Sequence, residues 1–278
     1  MEHRILAGHD TALRSYGSEG EDQRGLRMVL ALHCSLAHGG AWYALAERLS
    51  GTRMIAPDLP GHGDSADFVG GDLHGLSTRI ATALAEELAA QSGGPVDVFG
   101  HSFGATVALR LALARPDLVR SLVLAEPVLF AAARGTPAWD GYAVEHQGIT
   151  AAMVAGRHED AAAMFHGLWG TGIPLARLPE RQRRYIVERM PLIEVLNPDL
   201  VEDRAGLLAQ GGLERLTQPV LLAQGNQSPA VVEAINAALA ARLPRVQRLR
   251  IEGAGHMMPL THAGQFAPHV QAHLDAPA

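Results

Sequence analysis

The feature that most constrains the fold of this chain is a repeated alternation between short apolar runs and longer stretches of helical periodicity. Six short runs, most of them almost wholly apolar, are typical of strands buried on both faces of a parallel sheet. They occupy residues 28–33, 53–58, 96–100, 121–125, 220–224 and 246–251. Two weaker segments, near residues 5–7 and 12–16, predict an antiparallel hairpin ahead of them.

Apolar side chains between these runs recur at helical spacing. Leu76, Ile80, Leu84 and Leu88 fall every four residues, which places them on one face of a helix. Similar stripes lie within residues 103–111, 231–239 and 266–274. Because strands that alternate with helices form parallel sheets with right-handed crossovers, we predict an α/β protein with helices on both faces of a mostly parallel sheet.

One long region interrupts this alternation. From about residue 130 to residue 210 no convincing strand pattern occurs, and helix-like stretches lie at residues 159–169 and 180–196. An all-helical insertion between two strands of one sheet is a cap or lid. We therefore predict a core of residues 1–129 and 211–278 and a helical cap of residues 130–210.

Composition argues against several classes of protein. The chain has 278 residues, 47% of them apolar and 19% charged, as expected of a globular protein. Its formal net charge of −6 argues against nucleic-acid binding and against docking on anionic lipid, since both need a basic face. The single cysteine, Cys34, allows no intramolecular disulfide. Because neither a signal-peptide pattern nor a membrane-spanning apolar run occurs, we expect a cytoplasmic enzyme.

The pentapeptide Gly100-His101-Ser102-Phe103-Gly104 has the G-x-S-x-G form. A buried strand pattern precedes it and an amphipathic helix pattern follows it, which is the strand–turn–helix setting of an exposed nucleophilic serine. Small residues at the flanking positions tolerate the tight turn. Without this setting the pentapeptide would be an ordinary glycine-rich loop, so the context is what favours Ser102 as a nucleophile.

A nucleophilic serine needs a base within hydrogen-bonding distance, and that base needs an orienting acid. His256 is the candidate base among the 14 histidines, because it follows the last predicted strand in a glycine-rich turn. The carboxyl ends of parallel strands are where functional sites gather. A histidine that comes after the serine in the chain also fits this kind of site.

These segments resemble the α/β-hydrolase superfamily over most of the chain, from about residue 28 to residue 274. Residues 56–65, A-P-D-L-P-G-H-G-D-S, resemble a loop typical of the superfamily, and residues 32–36, L-H-C-S-L, resemble its His-Gly oxyanion loop. Cys34 stands where that loop usually has Gly.

The resemblance implies an oxyanion hole formed by the backbone N–H groups of Phe103 and Ser35. The Ser35 hydroxyl is either a third donor or an inert loop group. Cys34 is an alternative nucleophile, although a lone cysteine is more often a small buried apolar residue.

The acid departs from the usual pattern of the superfamily. In many members it follows the strand after the cap, but here residues 225–229, G-N-Q-S-P, carry Ser228 at the expected position. Glu126 is our candidate instead, because it ends the strand that follows the nucleophile helix. Some members of the superfamily resemble this arrangement and place their acid after that strand. Two alternatives are that Asn226 orients His256 through its amide oxygen, or that Glu126 is only a polar residue at a strand end.

Other side chains carry weaker signals. His262, His269 and His273 lie near one another on the last predicted helix, but without further ligands we expect no metal. No cofactor motif occurs, so we expect no cofactor. We expect structural roles for the loop histidines and a supporting role for the histidine inside the pentapeptide: His33, His62 and His101. Four cap side chains either line a substrate pocket or form the core of the cap: Trp139, Met164, Phe165 and Trp169.

The predicted function is hydrolysis of a small or medium apolar acyl compound by an acyl-enzyme mechanism, with a carboxylester as the favoured substrate. Lactone, thioester and carbon–carbon bond hydrolysis use the same machinery. The competing class is a non-catalytic ligand-binding or receptor protein of the same fold. The expected partner is the small-molecule substrate, with neither nucleic acid nor membrane, and both a monomer and a homodimer are compatible with the sequence.

Overall fold

A computed structural model describes residues 1–17 and 25–276 of the chain. The strands within these residues are β1 (Glu2–Leu6), β2 (His9–Gly17), β3 (Arg27–Leu32), β4 (Thr52–Pro57), β5 (Val96–His101), β6 (Val119–Ala125), β7 (Val220–Gly225) and β8 (Val246–Ile251). They form one sheet in the order β1-β2-β4-β3-β5-β6-β7-β8. All six predicted strands of the alternating pattern are present, with ends within two residues of those expected.

Pairing within the sheet is antiparallel at one edge and parallel elsewhere. β1 pairs with β2 and β2 with β4 in antiparallel register, which confirms the N-terminal hairpin. The pairs from β4 through β3, β5, β6 and β7 to β8 are parallel. The carboxyl ends of six strands therefore meet at one edge of the sheet, and the loops that follow them form one surface.

Helices cover both faces of the sheet. They are α1 (Tyr43–Ala46), α2 (Leu73–Ser92), α3 (Phe103–Ala114), α4 (Pro137–Val154), α5 (His158–Trp169), α6 (Glu180–Arg189), α7 (Pro191–Leu200), α8 (Ala230–Ala240), α9 (Met258–Thr261) and α10 (Ala263–Asp275). Side chains of β3 alternate between two apolar clusters because successive strand residues point to opposite faces. Leu30 and Leu32 pack with α2, α3 and α8, whereas Val29 and Ala31 pack with α1, α9 and α10.

The segment between β6 and β7 is helical, as the predicted cap requires. Residues 130–210, all of which the structure describes, contain α4 to α7 and short 3-10 turns but no strand. Part of this segment has its own apolar cluster, which includes Ile149, Ala162 and Met190. The division of the chain at residues 129 and 211 stays a prediction.

Two details of this helical segment differ from the sequence expectation. The helix-like stretch expected at residues 180–196 consists of two helices, α6 and α7, with Met190 between them. Pro191 explains the break, because proline lacks an N–H for a continuous helix and favours the first position of a new one. The long helix α4 was not anticipated. Among the helices of the described residues, none is both long enough and apolar enough to cross a membrane.

Candidate active site

Ser102 lies in the turn that joins β5 to α3 and has a strained backbone. Its φ is +55° and its ψ is −116°, in a region that residues with a side chain rarely adopt. A Cβ atom at Gly100 would collide with the backbone of Ala105, and one at Gly104 would collide with the backbone of Leu32. The two glycines of the pentapeptide are therefore required for a turn this tight.

His256 lies beside Ser102, in the loop between β8 and α9. Its Nε2 atom is 2.9 Å from the Ser102 Oγ atom, so the hydroxyl can donate a hydrogen bond to the imidazole. The ring is buried and makes a T-shaped contact with the Trp169 ring, with 4.7 Å between ring centroids. Trp169 belongs to α5, so the helical segment forms one wall of the site.

His101 holds the backbone of the His256 loop. Its Nε2–H group donates to the His256 carbonyl oxygen at 2.8 Å. Burial lowers the pKa of His101 to about 3, which keeps its ring neutral at ordinary pH. This contact agrees with a supporting role, as expected from the sequence.

Glu126 follows β6 directly and also has a positive φ, of +55°. Its side chain has no exposed surface, and its Oε2 atom is 3.1 Å from the Nδ1 atom of His256. The Oε1 atom accepts hydrogen bonds from the Gly225 N–H at 2.5 Å and from the Ser228 hydroxyl at 2.6 Å. The structure thus brings the three predicted catalytic side chains into one continuous line of hydrogen bonds.

The β7 loop (residues 226–229) contributes to this line of hydrogen bonds without supplying an acid. Ser228, at the position where a carboxylate was expected, donates to Glu126. Asn226 faces elsewhere: its side-chain oxygen accepts from the Gly253 N–H at 2.8 Å, and its amide nitrogen donates to Glu252. Ser228 was not among the predicted site residues, because its contact with Glu126 depends on the pairing of β7 with β6.

The two predicted oxyanion donors lie at the same edge of the sheet. Phe103 is the first residue of α3, where backbone N–H groups have no acceptor within the helix. Ser35 lies in the β3 loop (residues 33–38), and both it and Cys34 line the cavity that contains Ser102. Burial raises the pKa of the Cys34 thiol to about 12, so this thiol is neutral.

Two buried histidines support the loops around the site. The His33 ring accepts at Nε2 from the Leu59 N–H at 2.8 Å and donates from Nδ1 to the Cys34 carbonyl at 2.7 Å. The His62 ring donates from Nδ1 to the Pro60 carbonyl at 3.0 Å. Burial lowers their pKa values to about 3 and about 4, so both rings stay neutral. His33 therefore joins the β3 loop to the β4 loop (residues 58–65).

A small cavity of about 60 Å³ is lined by Ser102 and His256. Aromatic rings lead from the imidazole along one side of it, from Trp169 to Phe130 and then to Tyr142, with centroid distances of 5.8 Å and 4.0 Å. Most of the other lining groups are aliphatic or aromatic side chains of α4, α5 and α7. They include Ile149, Phe165, Leu168, Ile193, Leu196 and Leu200.

Two of the four cap side chains that could line a pocket do so. Phe165 and Trp169 line the cavity, whereas the lining does not include Trp139 or Met164. Trp139 packs beside Tyr142, and Met164 is largely at the surface. Within residues 1–17 and 25–276, no group of three or more His, Cys, Asp or Glu side chains is arranged to hold a metal ion.

Comparisons with known proteins identify the family. The family model described as alpha/beta hydrolase fold matches residues 27–263, so the chain belongs to the α/β-hydrolase fold family, as the resemblance had implied. The chain is 26% identical over 249 residues to a pimeloyl-[acyl-carrier protein] methyl ester esterase of Yersinia pseudotuberculosis, covering 86% of this chain and 90% of that protein.

Two further matches are shorter or have lower sequence identity. The chain is 40% identical over 120 residues to Lipase LipV of Mycobacterium tuberculosis, and this match spans 43% of the chain and 42% of the lipase. The structure of an alpha/beta hydrolase from Sphaerobacter thermophilus superposes with a TM-score of 0.71 at 22% identity, covering 98% of this chain and 100% of that one. At this identity the superposition shows a shared fold.

Proposed function

We propose that this protein is a serine hydrolase that cleaves carboxylic esters through an acyl-enzyme, with Ser102, His256 and Glu126 as its triad. The observation that carries the proposal is the line of two hydrogen bonds, 2.9 Å from Ser102 to His256 and 3.1 Å from His256 to Glu126. A buried carboxylate on Nδ1 holds the imidazole in the tautomer whose Nε2 atom can accept a proton.

The mechanism that follows has two halves. Ser102 Oγ attacks the ester carbonyl carbon while its proton passes to His256 Nε2, and the carbonyl oxygen becomes an oxyanion held by the N–H groups of Ser35 and Phe103. The carbon–oxygen bond to the leaving alcohol then breaks, and that alcohol takes the proton from His256. Water attacks the acyl-enzyme in the same way, which releases the carboxylic acid and restores Ser102.

The proposed substrates are esters with a small or medium apolar acyl group. The cavity beside Ser102 is small and has mainly apolar walls. Burial of apolar acyl surface against such walls is favourable, at about 25 cal/mol per Å². The names of two curated relatives, an ester esterase and a lipase, also support ester hydrolysis.

A fluorophosphonate probe tests the nucleophile. We expect the wild-type protein to be labelled and the Ser102→Ala variant to lose both the label and the hydrolysis of p-nitrophenyl esters. Ser92→Ala, which removes an exposed hydroxyl from the end of α2, is the matched control and should behave as wild type. If the wild type is not labelled, or if Ser102→Ala is labelled equally, the protein is not a serine hydrolase of this kind and the non-catalytic alternative stands.

A screen of acyl chain length tests the substrate class. Esters, thioesters and lactones with matched acyl groups should be compared by kcat/KM. We expect the highest values for esters with short to medium acyl groups, because the cavity is small. A clear preference for thioesters or lactones would contradict the ester assignment while leaving the triad in place.

A further inference from the structure

The helical segment contacts the β3 loop through apolar packing on Leu36 and through hydrogen bonds of one side chain of α6. The phenol of Tyr185 donates a hydrogen bond to the Ala37 carbonyl oxygen at 2.8 Å and accepts one from the Gly63 N–H at 2.7 Å. Ala37 lies two residues after Ser35, and Gly63 belongs to the β4 loop. One hydroxyl of the cap therefore bridges two loops of the core.

Arg189, one turn further along α6, reinforces this bridge. Its guanidinium carbon lies 3.8 Å from the centroid of the Tyr185 ring, within cation–π distance. Its Nε–H group donates to the Gly61 carbonyl at 3.1 Å. The Tyr185 ring is thus held in one orientation by a neighbour on the same helix that is itself attached to the β4 loop.

The β3 loop is held differently at its ends and in its middle. At its start the His33 ring donates to the Cys34 carbonyl, and just past its end the Asp58 carboxylate accepts from the Gly39 N–H at 2.7 Å. The middle of the loop includes Leu36, which has a φ of +61° that a leucine rarely adopts. Core groups hold both ends, whereas the helical segment holds the strained middle, through packing of its apolar cluster on Leu36 and through the bond from Tyr185 to Ala37.

We propose, resting on the proposed function, that Tyr185 is a positioning residue that holds the β3 loop so that the Ser35 N–H points at the oxyanion. The hydrogen bond to Ala37 exists only while α6 is docked on the core, so docking of the cap completes the oxyanion hole. The transition-state stabilisation that an oxyanion donor provides depends on the donor being fixed in place before the charge develops. A loosened loop therefore weakens binding of the transition state more than binding of the substrate.

Tyr185→Phe is the variant that tests this role. It removes both hydrogen bonds and keeps the ring on which Arg189 stacks. We expect kcat for p-nitrophenyl butyrate to fall about tenfold, a part of the roughly 100-fold or greater loss that follows removal of a whole oxyanion donor, with KM within about twofold of wild type. The affinity for a phenyl trifluoromethyl ketone, which forms an oxyanion adduct with the serine, should fall by a similar factor.

Tyr43→Phe is the matched control, because it removes the hydroxyl of a tyrosine that is 56% exposed and lies on the core. It should leave kcat, KM and ketone affinity unchanged. Rates should be normalised to active sites titrated with the fluorophosphonate, so that partial misfolding cannot imitate the effect.

Unchanged kcat and ketone affinity in Tyr185→Phe would overturn the inference while leaving the proposed function intact. A rise in KM with kcat unchanged would also overturn it, since it would assign Tyr185 to substrate binding instead. A wild-type protein that hydrolyses no ester would defeat the proposed function itself, and the inference with it.

Discussion

Two carboxylates of the sheet, Asp97 on β5 and Glu126 just past β6, have side chains without exposed surface but very different partners. Asp97 accepts two hydrogen bonds from Arg27 at 3.0 Å, further bonds from Arg120, and one from the Ser121 hydroxyl at 2.6 Å. Glu126 accepts from the neutral Gly225 N–H and Ser228 hydroxyl and from the imidazole of His256, and among the described residues no arginine bonds to it.

This difference shows that the partners of a buried carboxylate, rather than its burial, indicate what it does. Burial raises the pKa of Asp97, but the hydrogen bonds from Arg120, Arg27 and Ser121 outweigh burial and hold it below the ordinary value. Two permanent cations therefore fix the charge of Asp97 for the stability of the sheet. Glu126 has no arginine partner among the described residues and faces the imidazole of His256, which is the arrangement that our proposed triad requires.

The Glu126→Gln variant should show the largest effect expected from this comparison, a loss of kcat. The amide cannot stabilise the imidazolium and favours the wrong tautomer of His256, so kcat for p-nitrophenyl esters should fall on the order of 10³-fold. Steady-state kinetics measures this loss. Near-normal turnover would show that Glu126 is only a polar residue at the strand end and that the acid must be sought elsewhere.

Asp97→Asn should lower the stability of the fold and leave kcat nearly unchanged. Removing one member of a buried ion pair leaves charged partners without compensation, so the free energy of unfolding should fall by about 3 kcal/mol. Urea unfolding monitored by circular dichroism measures this change, and kcat per titrated site should stay within about twofold of wild type. A large loss of kcat with unchanged stability would remove the distinction between the two carboxylates.

The stability that Asp97 contributes should also depend on pH, in a direction that its pKa determines. Because the folded-state pKa lies below the ordinary value of 3.8, the contribution is complete above that pH and is lost as the pH falls through the folded-state value. The difference in unfolding free energy between wild type and Asp97→Asn should therefore be constant near neutral pH and shrink below about pH 4. A difference that grew on acidification would contradict this assignment.

The smallest expected effect concerns the loop after β7 and comes from Ser228→Ala. Glu126 loses one donor, and the kcat should fall about tenfold, equivalent to roughly 1.4 kcal/mol of transition-state stabilisation. Asn226→Ala is the matched control in the same loop, because its side chain contacts Gly253 and Glu252 instead of the triad. Equal losses in the two variants would mean that the loop acts as a whole and that Ser228 has no special role.

Much of the fold and of the site followed from local signals in the sequence. The spacing of apolar residues predicted the strands and most helices, because the spacing within each segment reflects whether one face or both faces of that segment are buried. The tight turn around Ser102 needed only neighbouring glycines, and the strand-end positions of Glu126 and His256 placed them at one edge of a parallel sheet. None of these inferences required knowing the distance between two loops.

What only the tertiary structure decided were contacts between segments far apart in the chain. The hydroxyl of Ser228 donates to Glu126 while the amide of Asn226 points away, and the sequence alone left Asn226 open as an alternative partner of His256. The T-shaped contact of Trp169 with His256 and the bridge from Tyr185 to the β3 loop depend on how the helical segment docks on the core. The direction of a side chain toward a distant segment is set by the packing of whole helices and strands. The spacing of apolar residues within one segment carries no information about that packing.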